Sequence, residues 1–248
     1  KFNLINLFLL MKKIKKLKIT KVYDLQNSSR TSFYKKILFP NGQKEVWSSS
    51  FTTLPKNQTK SEFDKYSVLE RFNHQLTDSG LRTKNTIKPD FSWACEEIND
   101  IKNIYELQKY ILIFPFCSPH LKIKMWPYYN ELIDIILKNY KDQYKIITAP
   151  GPKEINDAKN FNAISVLDKN QSLNISKLAT LIKDSSFIIA NDTGPAHMAA
   201  HLGAKGLTLF GSHTTAHKVS IERENFKPIQ VSDLKKLSAE KVFERMSI

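Results

Sequence analysis

One stretch in the C-terminal half of the chain alternates between apolar runs and polar turns in a pattern that few folds allow. Residues 187–190 form a short apolar run of the kind that is buried in a parallel sheet, and residues 207–210 form another. Between them, residues 191–195 combine capping side chains, a glycine and a proline suited to a first helical turn. A helix over residues 196–202 would then end at Gly203. The stretch predicts a strand, a helix and a second parallel strand.

The turn before this predicted helix is suited to binding an anion. In an open α/β sheet, ligands bind beyond the carboxyl ends of the strands, where helix N-termini present unpaired N–H groups and the positive end of the helix dipole. Four residues lie at this point of the predicted unit: Asp192, Thr193, Gly194 and His197. They are the first candidates for a binding site.

The same alternation continues on both sides of this unit. Predicted strands cover residues 110–116, 144–149, 163–167 and 228–231, and predicted helices cover residues 126–140, 154–161, 175–183 and 238–246. Strands that alternate with helices in this way indicate a parallel sheet with helices on both faces. We therefore assign the chain to the α/β class.

The first 100 residues are less regular. Their predicted elements are a basic helix over residues 11–20, a strand over 21–25, a polar turn over 26–30 that opens another helix, an exposed loop over 48–60, helical periodicity over 61–81 and a connector over 82–90. We place a domain boundary near residues 99–105. Residues 1–100 and 101–248 then form separate domains.

The charge of the chain favours an acidic partner. Lys and Arg number 38 against 24 Asp and Glu, which gives a formal net charge of +14. Such a balance favours a nucleotide, a phosphorylated glycan, a nucleic acid or an anionic membrane face. A solvated lysine-rich surface with no such partner is the alternative.

The two cysteines, Cys95 and Cys117, have no CxxC or Cys/His ligand spacing. The sequence therefore disfavours a disulfide scaffold and a structural zinc site. No run approaches the roughly 20 apolar residues that span a bilayer. We expect a cytoplasmic protein without a metal site.

Four segments, in chain order, carry a family resemblance. They are PFCSPHLKIKMWP at residues 115–127, TAPGPKE at 148–154, NDTGPAHMAAHLG at 191–203 and LFGSHTT at 209–215. Together they resemble glycosyltransferase family 9, the ADP-heptose:lipopolysaccharide heptosyltransferases, and YDLQNSSR at residues 23–30 is similar to a motif of the family's N-terminal domain. The resemblance implies a GT-B-like fold with two Rossmann-like domains and parallel sheets. Residues 1–100 would be a partial acceptor-side domain, and residues 101–248 would bind the nucleotide-sugar.

The resemblance also implies a reaction. A sugar, heptose in the first instance, would pass from an ADP-sugar to a lipopolysaccharide core or related glycan with inversion, and no cofactor would be needed. Negative charge then builds on the leaving diphosphate and must be stabilised. Lys124, just before a predicted helix, is assigned this catalytic role, with Ser118 adding a hydroxyl. Asp192, Thr193 and Gly194 are assigned to a phosphate cradle in which Asp192 caps the helix and orients donors.

Two further donor contacts are implied. Glu154 would accept the ribose hydroxyls, although a glutamate in a first helical turn is also favoured by the helix dipole alone. His197 would donate to a phosphate or a sugar hydroxyl. His201 lies on the same helical face, but no third ligand is spaced to complete a metal site with it. The chain departs from the family at Ser212, because the family usually has a proline after the glycine that stands here as Gly211.

The acceptor side is less well marked. It is assigned to Gln26, Asn27, Ser28 and Arg30. The family's general base is an aspartate in a loop after its first strand, and no segment matches that strand and loop. We therefore expect the opening β-α units to be absent and leave the base unassigned.

A basic cluster points to a membrane. Its lysines are Lys12, Lys13, Lys15, Lys16 and Lys18, which are suited to anionic lipid headgroups or acceptor phosphates. This favours peripheral contact with the inner face of a bacterial inner membrane.

Three other functions compete. Residues 78–80 and 192–194 read DSG and DTG, as in pepsin-like aspartic hydrolases, but helical periodicity around both triplets disfavours that all-β fold. A nucleic-acid binder would fit the charge, but no known module appears, so we expect no nucleic-acid partner. The third is a catalytically impaired relative that binds a nucleotide-sugar or an acidic glycan without a general base.

Overall fold

The computed structural model describes residues 4–39 and 47–248. The chain separates into two compact units, Lys1–Ile87 and Lys88–Ile248. This division lies upstream of the boundary that the sequence suggested, because Ile98 and Ile101 are buried in the core of the second unit. The assignment of acceptor and donor roles to the two domains stays a prediction.

The first unit contains a short parallel sheet. Its strands are β1 (Val22–Tyr23) and β2 (Trp47–Ser48), and its helices in the described ranges are α1 (Leu4–Lys16), α2 (Ser29–Leu38), α3 (Lys60–Phe63) and α4 (Val68–Asp78). Ser28, Thr59 and Ser67 begin α2, α3 and α4 with capping boxes, in which the side chains of the N-cap and N3 residues satisfy each other's backbone N–H groups. These local hydrogen bonds explain where the three helices start.

The structure departs from two predictions for this unit. The segment predicted as an exposed loop over residues 48–60 begins with buried residues, because Ser48 belongs to β2 and is covered by α4. The Gln75 side chain donates from α4 to the carbonyl oxygens of Ser48 and Asp24 at 3.1 and 3.0 Å. The helical periodicity over residues 61–81 is divided between α3 and α4, because Ser67 caps a new helix.

The second unit is built on a parallel sheet of six strands. They are β3 (Tyr110–Phe114), β4 (Lys145–Thr148), β5 (Ile164–Ser165), β6 (Phe187–Asn191), β7 (Gly206–Phe210) and β8 (Phe226–Gln230), in the order β5-β4-β3-β6-β7-β8. The order reverses between β3 and β6, as in doubly wound sheets. The predicted α/β class with a parallel sheet is confirmed.

Helices cover both faces of this sheet. They are α5 (Asn99–Tyr105), α6 (Tyr129–Tyr140), α7 (Ile175–Lys183), α8 (Gly194–His201), α9 (Ala216–Val219) and α10 (Ala239–Glu244). Successive residues of β3 point to opposite faces, so Ile111 and Ile113 pack with α6 and α10, while Leu112 and Phe114 pack with α7 and α8. Burial on both faces explains why the strands read as continuous apolar runs.

The end of α8 confirms the predicted role of Gly203. This glycine has a φ of +72°, a left-handed conformation that side chains disfavour. The next N–H, that of Ala204, donates to the carbonyl of Ala199 at 3.1 Å, which completes a Schellman motif.

Two helix predictions in this unit differ from the structure. The helix predicted over residues 126–140 begins at Tyr129, because Pro127 disfavours a helical conformation at Trp126. The helix predicted over residues 154–161 is a series of turns followed by the 3-10 helix Asp157–Asn160.

None of the helices that the structure describes is both long enough and apolar enough to cross a bilayer.

Gly206 sits where β7 lies between β6 and β8, and no side chain fits there. A Cβ at this position would lie 2.4 Å from the Ile188 carbonyl oxygen and 2.9 Å from the Phe226 ring. We expect Gly206→Ala to lower the free energy of unfolding by about 2 kcal/mol or more, because these contacts belong to a packed sheet that cannot yield. Chemical denaturation measures this. The control is Gly194→Ala, whose added Cβ meets no atom within 4 Å; equal stability of both variants would contradict the prediction.

Candidate functional site

A cleft of about 500 Å³ lies beyond the carboxyl ends of β3 and β6. These strands are neighbours in the sheet, and the chain continues to β4 on one side and to β7 on the other. This is the position at which ligands bind in doubly wound sheets. The residues that the sequence singled out and that line the cleft are Ser118, Lys124, Glu154, Asp192, Thr193 and Gly194. The structure therefore brings together six of the seven predicted donor-site residues.

The centre of this cleft is an ion pair between Lys124 and Asp192. Lys124 follows β3, in the 3-10 helix Lys122–Lys124, and Asp192 directly follows β6. The ammonium nitrogen lies 2.6 Å from Oδ2 of the carboxylate, and the two side chains are only 20% and 4% exposed. The expectation that Lys124 adjoins a helix N-terminus is wrong, because α6 begins only at Tyr129.

Two histidines also face the Asp192 carboxylate. His213 Nε2 lies 3.1 Å from Oδ2, and His197 Nε2 lies 3.4 Å from Oδ1. Burial raises the pKa of the Asp192 carboxyl, but hydrogen bonds from His197 and Lys124 outweigh burial and hold this pKa well below its ordinary value. Asp192 is therefore an anion at neutral pH whose charge is compensated within the protein.

The predicted capping role of Asp192 is wrong. The N-cap of α8 is Thr193, whose side chain makes no capping hydrogen bond. The Asp192 carboxylate instead binds Lys124 and His213. Among the described residues, no capping side chain therefore covers the N–H groups at this helix start.

Two hydroxyl groups in the cleft wall lack hydrogen-bond partners. They are Thr193 Oγ1 and Ser172 Oγ, which are buried and pair with nothing in residues 4–39 and 47–248. Buried hydroxyls are normally paired, so each is a group that a bound ligand could satisfy. Thr193 was among the predicted residues, and Ser172 was not.

Glu154 and His197 occupy different positions around the cleft. Glu154 lies in the wall, where its Oε2 accepts a hydrogen bond from the Gly151 N–H at 2.8 Å. His197 lies in the first turn of α8, outside the cleft lining, and its Nε2 lies 3.4 Å from Oδ1 of Asp192, which does line the cleft.

His201 does not form a metal site with His197. Its Nδ1 lies 3.3 Å from an Arg223 guanidinium nitrogen. Burial, then the charges of Arg223 and His197, lower the pKa of His201 to about 4. Within the described residues, no group of three or more metal-ligating side chains is found.

Asn191 is a structural residue of the site that the sequence did not reveal. Its amide nitrogen donates to the Pro115 carbonyl at 2.7 Å, and its Oδ1 accepts from the Trp126 N–H at 3.2 Å and the Tyr129 hydroxyl at 3.3 Å. These bonds fix both ends of the segment that carries Lys124. The only sequence signal was a polar side chain at the end of an apolar strand.

The predicted acceptor residues have separate places in the first unit. Ser28 caps α2, and Asn27 accepts a hydrogen bond from the Ser50 N–H at 2.6 Å. Gln26 and Arg30 are exposed. Of the four, Asn27 alone lines the cleft of about 400 Å³ that lies within this unit. Their acceptor role stays a prediction.

The comparisons with known proteins give the family. The sequence profile of glycosyltransferase family 9 (heptosyltransferase) matches residues 7–244. The chain therefore belongs to this family of glycosyltransferases, and the predicted resemblance is confirmed. None of the curated proteins matches the chain.

Several solved structures share the fold. The family 9 glycosyltransferase from Veillonella parvula superposes with a TM-score of 0.66 and 15% identity, over 95% of this chain and 75% of that one. E. coli heptosyltransferase WaaC with ADP gives a TM-score of 0.60 and 18% identity, over 91% of this chain and 71% of that one. E. coli ADP-heptose lps heptosyltransferase II gives a TM-score of 0.51 and 15% identity, over 72% of this chain and 60% of that one. At these identities the likeness establishes the fold, which is that of GT-B glycosyltransferases.

The depressed pKa of Asp192 predicts how stability depends on pH. The carboxylate contributes stability above about pH 4, where the unfolded aspartate is ionised, and this contribution is lost as the pH falls toward the folded pKa. We expect Asp192→Asn to lower the free energy of unfolding by about 1–3 kcal/mol at pH 7, and the difference from wild type to narrow below about pH 4. Denaturant titrations at several pH values measure it.

The control for this experiment is Asp168→Asn. Asp168 pairs with Lys177 at 2.6 Å, but the pair is partly exposed, so its loss should have a smaller effect. The prediction would be contradicted if the difference in unfolding free energy between wild type and Asp192→Asn increased as the pH falls.

Proposed function

We propose that the chain transfers a sugar, heptose as the first candidate, from an ADP-sugar to a lipopolysaccharide core or related glycan acceptor, with inversion of the anomeric carbon. The observation that carries this proposal is the convergence of Lys124, the start of α8 and Glu154 on one cleft at the switch point of the sheet. WaaC has been solved with ADP and with ADP-2-deoxy-2-fluoro heptose, and we extend that ligand class to this chain.

The diphosphate of the donor would bind between Lys124 and the first turn of α8. The backbone N–H groups of Thr193 and Gly194 lie at the positive end of the helix dipole, where anions are favoured. The Thr193 hydroxyl, which has no partner among the described residues, supplies a further donor. Lys124 supplies the positive charge, and Ser118 adds a hydroxyl in the same wall.

The rest of the nucleotide-sugar would extend along the cleft. Glu154 would accept hydrogen bonds from the ribose hydroxyls, because its carboxylate lies in the wall next to the turn at Gly151. His197 would act on the diphosphate or the sugar, close to Asp192.

In the proposed reaction, the bond between the anomeric carbon and the β-phosphate oxygen breaks, and its electron pair remains on the phosphate. Lys124 and the N–H groups of α8 stabilise the charge that appears there, which lowers the barrier. The acceptor hydroxyl attacks from the opposite face and loses its proton to a base that we leave unassigned. The products are ADP, the glycoside and the released proton.

The first unit would contact the acceptor and the membrane. Gln26, Asn27, Ser28 and Arg30 are proposed as its acceptor side. In α1, exposed Phe8, Leu9 and Leu10 precede a basic cluster that includes Lys12, Lys13 and Lys16. Exposed apolar side chains next to lysines favour an anionic lipid surface, which we propose to be the inner face of a bacterial inner membrane.

The donor site is tested by calorimetry with ADP and with adenosine. We expect Lys124→Ala to weaken ADP binding by about tenfold or more, because a charged hydrogen bond to the diphosphate is lost, and to leave adenosine binding unchanged. The matched control is Lys122→Ala, which removes an exposed lysine from the same 3-10 helix outside the cleft. Equal ADP affinity in wild type and Lys124→Ala would remove Lys124 from the site.

Product formation distinguishes an active glycosyltransferase from a relative that only binds the nucleotide-sugar. With ADP-heptose and a lipopolysaccharide core acceptor, we expect sustained ADP release that depends on the acceptor and slows in Lys124→Ala but not in Lys122→Ala. Binding of ADP-heptose without ADP release would favour the impaired relative that only binds a nucleotide-sugar.

A further inference from the structure

His213 contacts Asp192 of the central ion pair but does not itself line the cleft. It lies in the loop between β7 and α9, and its ring stacks on Phe210 with 5.8 Å between centroids and 17° between planes. The side chain is 7% exposed, and its Nε2 lies 3.1 Å from Asp192 Oδ2. No role was predicted for this histidine from the sequence.

The hydrogen bond to Asp192 fixes where the ring carries its proton. The acceptor is a carboxylate with a depressed pKa, so the histidine must donate, and a neutral ring then has its proton on Nε2. The other nitrogen, Nδ1, is buried and has no hydrogen-bond partner within residues 4–39 and 47–248. An Nδ1 that carries no proton is only an acceptor, so no N–H group of the ring is buried without a partner. The ring is thus oriented as a donor to Asp192.

Lys124 and His213 bind the same carboxylate oxygen. Lys124 Nζ lies 2.6 Å and His213 Nε2 lies 3.1 Å from Asp192 Oδ2, whereas His197 faces Oδ1. When an ammonium turns from a carboxylate toward a ligand, the carboxylate loses its ionic partner. The Asp192 side chain is only 4% exposed, so water replaces that partner poorly and the loss is costly.

We propose that His213 is a positioning residue that keeps Asp192 hydrogen-bonded while Lys124 moves from this carboxylate to the diphosphate of the donor. It thereby makes the Lys124 ammonium available to the ligand without touching the ligand itself. The inference rests on the proposed ADP-sugar site, and it adds a residue of the β7–α9 loop to the binding of the diphosphate.

Two variants of His213 separate donation from packing. His213→Phe keeps a ring that can stack on Phe210 but removes the donor, and His213→Gln places an amide N–H near the position of Nε2. We expect His213→Phe to weaken ADP binding by about tenfold and His213→Gln to retain most of it, because a hydrogen bond to a charged group is lost only in the first. Calorimetry with ADP and adenosine measures both. Adenosine affinity should not change, since it has no phosphate to draw Lys124 away.

A double-mutant cycle tests the link to Lys124. In the Lys124→Ala background, His213→Phe should have no further effect on ADP affinity, because no ammonium remains to be released. Equal ADP affinity of wild type and His213→Phe, or an equal loss in the Lys124→Ala background, would overturn the proposal. A wild-type protein that binds no ADP would instead refute the proposed function, and the inference with it.

Nitrogen-15 NMR of the wild-type histidines gives an answer even if His213→Phe does not fold. At pH 8 we expect His213 to carry its proton on Nε2 with and without ADP, with the signal assigned by its loss in His213→Gln. A ring without a proton on Nε2 could not donate to Asp192 and would overturn the proposal.

Discussion

The ion pair between Lys124 and Asp192 is the interaction on which the cleft depends. It joins the segment after β3 to the first residue after β6 through a contact of 2.6 Å. Charges attract strongly where water is largely excluded, and a carboxylate left alone there would be costly, so both segments are held at one point. The start of α8 and the ammonium therefore face the same cavity.

A second polar residue holds the backbone on either side of this ion pair. Asn191, at the end of β6, bonds to Pro115 and Trp126 on either side of Lys124. Adjacent residues at the end of one strand thus have different tasks. Asn191 holds the backbone around Lys124, and Asp192 holds its ammonium group. Both side chains are buried, and both have hydrogen-bond partners, which is the condition under which buried polar groups stabilise a single arrangement.

Much of the fold could be predicted because it is locally encoded. Apolar runs bounded by turn residues located the strands of the second unit, and α7 (Ile175–Lys183) has the predicted bounds. The misjudged elements depended on less local causes. The helix α6 begins later than predicted because Pro127 disfavours a helical conformation at Trp126. Ser48 is buried because α4 packs over it. Periodicity alone does not report such contacts.

The sequence by itself determined the class of fold and the residue types at the strand ends, because hydrophobic period, glycine and proline act within a few residues. It also placed Lys124, Glu154 and Asp192 after strands. Only the tertiary structure decided which strand ends are neighbours, since strand order is set by packing across the whole sheet. Lys124 and Asp192 are 68 positions apart in the chain, and their pairing follows from the contact of β3 with β6. The place of His213 beside them was decided in the same way, by the contact of β6 with β7.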